Sequence, residues 1–144
     1  MKEKKIWIGI AVLAAVLLLC RAVYLGQIVP LIERDEESRI TRVVVYRSKW
    51  PEGCEDVTER VDGGKILDLL ETRQRKRGRS GKKSYITIDN GTRIEIRGED
   101  KDGEFEIFVG KWHKFCRNAG RTKRNYWILE EDTLLEEVFA LIDG

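Results

Sequence analysis

The sequence predicts an α+β protein in which an N-terminal transmembrane helix precedes a small domain made of a curved antiparallel sheet and two helices. Three observations carry that prediction. Lys2, Lys4 and Lys5 lead at once into an uncharged apolar run, residues 6–20. Short stretches of period-two alternation recur between residues 40 and 129, set apart by Gly, Asn and Asp. Two further segments, 63–72 and 134–142, repeat their apolar residues with a helical period.

The apolar run comes first. Between Lys5 and Glu33 the sole charge is Arg21, so helix continues through Leu25 and reaches about 20 residues or about 30 Å, enough to cross a bilayer. Arg21 sits near the outer end, where its long stem lets the charge reach the headgroups, and Trp7 and Tyr24 suit the two interfaces. Lysines beside a span stay on the cytoplasmic side, which places residues 1–5 inside as a basic flank. Residues 6–32 are then the anchor and its exit, 33–39 a charged juxtamembrane linker, and 40–144 an extracytoplasmic domain at the cell membrane. Two processing alternatives stand beside the uncleaved anchor. Cleavage after Ala22 would release a secreted protein, since a charged start, an apolar core and a small residue fit a signal segment. A lipid anchor at Cys20 fits less well, because Leu19 occupies the preceding position where a small residue belongs.

Beyond the anchor about 110 residues remain, the size of one domain with one core. The β-branched stretch 40–46 reads as a first strand with both faces partly covered. Pro51 turns the chain, and 57–61 reads as a short second strand paired with the first. Asp62 caps a helix from Gly63 to about Thr72, with Ile66, Leu67, Leu69 and Leu70 on its apolar side, and residues 73–81 read as a loop that ends it. Asn90-Gly91 joins alternating segments 85–89 and 93–97 in a type I′ hairpin. Asp102-Gly103 turns into a third meander strand, 105–109; 112–115 begins a fourth, 118–124 connects, and 126–129 is the last. Thr133 and Glu136 have capping-box spacing ahead of a terminal amphipathic helix formed by Leu134, Leu135, Val138, Phe139, Leu141 and Ile142.

The arrangement carried by "RVVVYRSKW", "DGGKILDLLE", "SYITIDNGTRIEI", "FEIFVGKWHKF" and "NYWILEEDTLLEEVFALI" resembles small membrane-anchored or lipoprotein-like α+β proteins of Gram-positive, Firmicutes-type bacteria. The resemblance covers nearly the whole chain. It implies no functional residues, because it rests on pattern rather than on a catalytic signature.

Charge gives the sharpest functional signal. Charged residues make up 36% of the chain and nearly cancel to +2, yet two segments contain bases and no acids. The first, 72–84, carries Arg73, Arg75, Lys76, Arg77, Arg79, Lys82 and Lys83; the second, 107–129, includes Arg117, Arg121, Lys123 and Arg124. If folding joins them, the chain would offer a basic patch to an anionic envelope polymer, to lipid headgroups or to a protein partner, with Trp112, Tyr126 and Trp127 adding aromatic contacts. Nucleic acid fits poorly with export and with the lack of a recognition motif. No small-molecule substrate and no cofactor is indicated.

Catalytic signatures are sparse. His113 is the only histidine, and with Cys116 it makes half of a zinc ligand set at most. No nucleophile elbow is present. The alternative to a non-catalytic binding module is an envelope hydrolase that uses a carboxylate pair from the acid-rich stretch 89–106. In an oxidising exterior Cys54 and Cys116 are a candidate disulfide, and closing a loop of about 60 residues would stabilise the fold by about 3–4 kcal/mol.

Overall fold

The computed structural model describes residues 1–47, 53–79, 92–110, 114–119, 122–129 and 133–144. Helix α1 (Lys2–Gly26) is uninterrupted, is long and apolar enough to cross a membrane, and buries none of its residues against the rest of the chain. Gln27 leaves the helix in an extended conformation, and the chain passes directly into strand β1 (Ile28–Pro30).

Among the described residues eight strands form one sheet in the order β1, β4, β8, β7, β6, β5, β2, β3, every neighbouring pair antiparallel. The strands are β2 (Arg39–Tyr46), β3 (Cys54–Asp56), β4 (Gln74–Arg79), β5 (Arg93–Asp100), β6 (Gly103–Val109), β7 (Lys114–Ala119) and β8 (Thr122–Leu129). Strands β5 to β8 follow one another as a meander, β2 adds to the free edge of β5, and β4 adds to that of β8. The sheet stays open, and its edges β1 and β3 are only three residues long, which limits the unpaired backbone offered to other chains.

The sheet curls strongly, and three hydrogen bonds of the segment 31–33 show how much. Leu31 N donates to Arg73 O at 2.8 Å, Glu33 N donates to an Asp100 carboxylate oxygen at 2.9 Å, and Lys101 N donates to Glu33 O at 3.0 Å. In a flat sheet the start of β4 and the end of β5 would stand four strand spacings apart, about 19 Å. Three extended residues reach about 10 Å. Residues 31–33 are therefore a strap across the mouth of a cupped sheet, and the side chains of Leu31 and Ile32 are fully buried in the cup. The folded unit thus begins at Ile28, not at Ile40, and the segment expected to be anchor exit and linker is part of the sheet and the core.

The core lies on the concave face: Val43 and Val45 from β2, Ile94 and Ile96 from β5, Phe105, Ile107 and Val109 from β6, Phe115 from β7 and Ile128 from β8. Helix α2 (Gly63–Glu71) packs Ile66, Leu67 and Leu70 into it, and helix α3 (Leu134–Asp143) adds Leu134, Val138 and Ile142. Asp62 caps α2 as expected, accepting from Gly64 N at 2.9 Å. The expected capping box on α3 is absent: the Thr133 hydroxyl instead reaches Glu137, at 3.3 Å. Gly98 has a strict packing role, because a Cβ there would lie 2.7 Å from both Arg39 O and Phe105 Cζ.

Several expected elements move. The partner of β2 is Cys54–Asp56, and residues 58–60 make a 3-10 turn where a strand was expected, with Val57 buried between them. The fourth meander strand runs on to Ala119 and the last begins at Thr122, so most of the expected 118–124 connection is strand. The Asn90-Gly91 hairpin and segment 85–89 lie outside the described residues; β5 from Ile94 to Arg97 gives its two edges to β2 and β6. The largest change is at residues 74–79, expected as a loop, which form β4 between β1 and β8. The expected Cys54–Cys116 disulfide is not formed in this structure. Cys54 sits on edge strand β3 and Cys116 on β7, with β2, β5 and β6 between them in the sheet. Both are free thiols; Cys54 is exposed, and Cys116 is buried with its thiol on Asn125 Oδ1 at 3.0 Å.

Candidate anion-binding face

The antiparallel register decides which basic side chains meet. Arg75 stands opposite Ile128, Arg117 opposite both Phe105 and Arg124, and Phe115 opposite Tyr126, so all of these share the concave face. One arginine of the first acid-free segment thereby shares a face with two of the second.

Their environments differ. Arg117 is buried and makes a two-pronged ion pair with Asp100, at 2.7 and 2.5 Å, with Asp102 at 3.9 Å. Asp100 also accepts from Glu33 N and Asp102 N, so this pair ties β5, β7 and the strap together. Arg73 is likewise structural: it is buried, forms an ion pair with Glu137 and reaches Thr133, which fixes α3 to the start of β4.

Arg75 is placed otherwise. Its guanidinium carbon lies 4.4 Å from the Tyr126 ring centroid and 5.6 Å from that of Phe115, which Arg117 approaches from 5.3 Å. Among the described residues it pairs with no acid; its only hydrogen bond is a 3.4 Å contact to Lys76 O, and its buried Nε has no partner. Burial first, then the neighbouring Arg117 charge, pull its pKa below the usual arginine value. A guanidinium still keeps its proton. The result is a half-buried cation, held flat by an aromatic ring, whose hydrogen-bonding fork lacks an anion. Arg124 is exposed on the same face and makes no ion pair among the described residues.

The remaining members of the basic set are scattered. Lys76 is exposed and pairs in register with Ile28; Arg77 turns toward α1, donating to the Tyr24 hydroxyl at 3.0 Å with its guanidinium over that ring at 4.5 Å. Lys82, Lys83 and Arg121, and the side chains of Arg79 and Lys123, lie outside the described residues, as do Trp112, His113 and the Trp127 side chain. Sequence reading named Tyr126 but missed Phe115, whose role follows only from register.

Among the described residues, several acids of the 89–106 stretch are engaged by arginines. A cleft of about 380 Å³ is lined by Thr41, Arg97, Gly98, Glu99, Glu104, Phe105 and Glu106. Glycosidic acid catalysis needs two carboxyl groups facing each other across a bond. Here Glu99 meets Arg39 at 3.2 Å, Glu106 meets Arg97 at 3.6 Å, and Glu95 holds Arg97 at 2.7 Å. Glu99 and Glu106 thus meet arginines of a neighbouring strand and Glu95 one on its own strand, while Glu104 stands opposite Glu99 in the register. No protein-family model, curated protein or solved structure matches this chain.

Proposed function

We propose that the chain is a single-span membrane protein whose extracytoplasmic domain binds a phosphate-bearing anionic polymer of the envelope without catalysis. Arg75 carries the reading: an aromatic-stacked guanidinium near Arg117, on the same face as the exposed Arg124, with no ion pair to an acid among the described residues. Arginine forks match phosphate oxygens two at a time, and the partly dry surroundings of Arg75 strengthen such a bond relative to one in water. The apolar helix with its lysine flank supports the anchored, outward-facing topology.

The test is a fluorescence-anisotropy titration of labelled poly(glycerol phosphate) against the full chain in neutral phosphatidylcholine nanodiscs, between 50 and 200 mM salt. Each lost charge-assisted contact is worth about 1.5 kcal/mol or more, so Arg75→Gln with Arg124→Gln should weaken binding by at least about 100-fold. The salt dependence should flatten, because fewer counterions are released. Arg124→Gln alone, at an exposed position, should lose about tenfold without a change in stability. Equal affinity of parent and double variant at low salt would refute the reading.

A further inference from the structure

A second set of cations sits where α1 meets the sheet, and it differs from the polymer site in position and partners. Arg77 N donates to Gln27 O at 2.9 Å while its side chain clasps Tyr24, and Gly78 packs so tightly that a Cβ would fall 2.9 Å from Leu25 O. The helix end is thus locked to β4 by backbone, ring and close approach. Arg21 precedes Tyr24 by three residues, which places both on one helical face.

The helix fixes the depth of this joint. A hydrocarbon core of about 30 Å takes about 20 helical residues, so a span starting after Lys5 brings Tyr24 and Leu25 to the outer boundary. The Arg77 guanidinium, stacked on Tyr24, then lies among the headgroups, and Arg21 reaches the same level by extending its stem. Ile28, 58% exposed, is opposite Lys76 in the register and meets the same boundary. Among the described residues Arg21, Lys76 and Arg77 form no ion pair with any acid, and Arg77 Nε is buried without a partner.

We infer that this joint is a phospholipid headgroup site, in which Arg77 and Arg21 take the phosphate of an anionic lipid in the outer leaflet and Lys76, on the other face of β4, adds charge at the headgroup level. It rests on the reading of α1 as a retained anchor. The bound lipid completes the cations that the fold leaves without acids, and it holds the β1–β4 edge of the sheet against the bilayer. The domain is therefore presented at a set angle rather than on a free tether.

Native mass spectrometry of the full chain released from nanodiscs of mixed phosphatidylcholine and phosphatidylglycerol tests this directly. The parent should retain phosphatidylglycerol over phosphatidylcholine by about tenfold, and Lys76→Gln with Arg77→Gln should cut that preference at least fivefold. Arg77→Lys keeps the charge and should preserve most of the preference, which separates lipid capture from damage to the joint. Equal retention of the two lipids by the parent, or an unchanged preference in the double variant, would overturn the site. A protein recovered from its own membranes at a mass lacking residues 1–22 would overturn it together with the anchor. The polymer titration contains no anionic lipid, so its failure leaves the lipid preference standing, and the reverse also holds.

Discussion

Replacing Asp100 by alanine is expected to lower the unfolding free energy by about 3–5 kcal/mol, the cost of removing one member of a buried ion pair. The Asp100 side chain is fully buried and that of Arg117 is 9% exposed, so the orphaned guanidinium would keep its charge with little water to solvate it. The strap would also lose its hold, since Asp100 accepts from Glu33 N. Urea denaturation of the full chain in detergent micelles, followed by circular dichroism, reads the change. A loss below about 1 kcal/mol would mean that water already reaches Arg117. The double variant Asp100→Leu with Arg117→Met should regain most of the stability, because an apolar pair of similar volume carries no desolvation penalty.

Phe115→Ala is expected to cost about 3–5 kcal/mol, the range for deleting a fully buried aromatic ring. Phe115 is completely buried, its ring centroid lies 6.0 Å from those of Phe105 and Tyr126, and it separates Arg75 from Arg117. The substitution should therefore weaken polymer binding as well as the fold, since the two guanidinium groups lose their spacer. Phe115→Leu, which keeps most of the volume, should cost less than about 1.5 kcal/mol. The same denaturation experiment ranks the two, and comparable losses for Ala and Leu would show that ring stacking, not volume, supports the site.

The three helices are legible in the sequence for physical reasons. The anchor is uniform in polarity over many turns, Asp62 stands where a cap belongs, and the apolar residues of α3 return with helical period. Strands β2, β5 and β6 are legible because one face of each is apolar at alternate positions. Strand β4 is not, since "QRKRGR" contains no apolar residue and has no hydrophobic period to detect. Its arginines instead set their guanidinium groups over Tyr126, Phe115 and Tyr24, contacts that exist only once the register is set. Strand β1 is hidden for the opposite reason, because Ile28–Pro30 continues the apolar composition of the anchor.

The candidate site was legible in residue type and not in arrangement. Two acid-free segments point to an anionic ligand, but the sequence treats their arginines as equivalent. The fold divides them: Arg73 goes to Glu137 and Arg117 to the buried Asp100, Arg77 goes to the helix end, and Arg75 and Arg124 pair with no acid among the described residues. Cysteine spacing misleads because proximity depends on strand order. The sheet places β6, β5 and β2 between the strands that carry the two thiols.

Cys54 provides the most direct test of the outward-facing, anchored placement on which the binding proposals rest. It is the exposed thiol of the domain, whereas Cys116 is buried and Cys20 lies within the apolar helix. Intact cells producing the full chain are treated under reducing conditions with a membrane-impermeant maleimide, and the labelled peptide is identified by mass spectrometry. Labelling of Cys54 in intact cells, on protein that retains residues 1–22 and sediments with the membrane, is the expected result. Labelling only after lysis would place the domain inside and contradict the proposed topology.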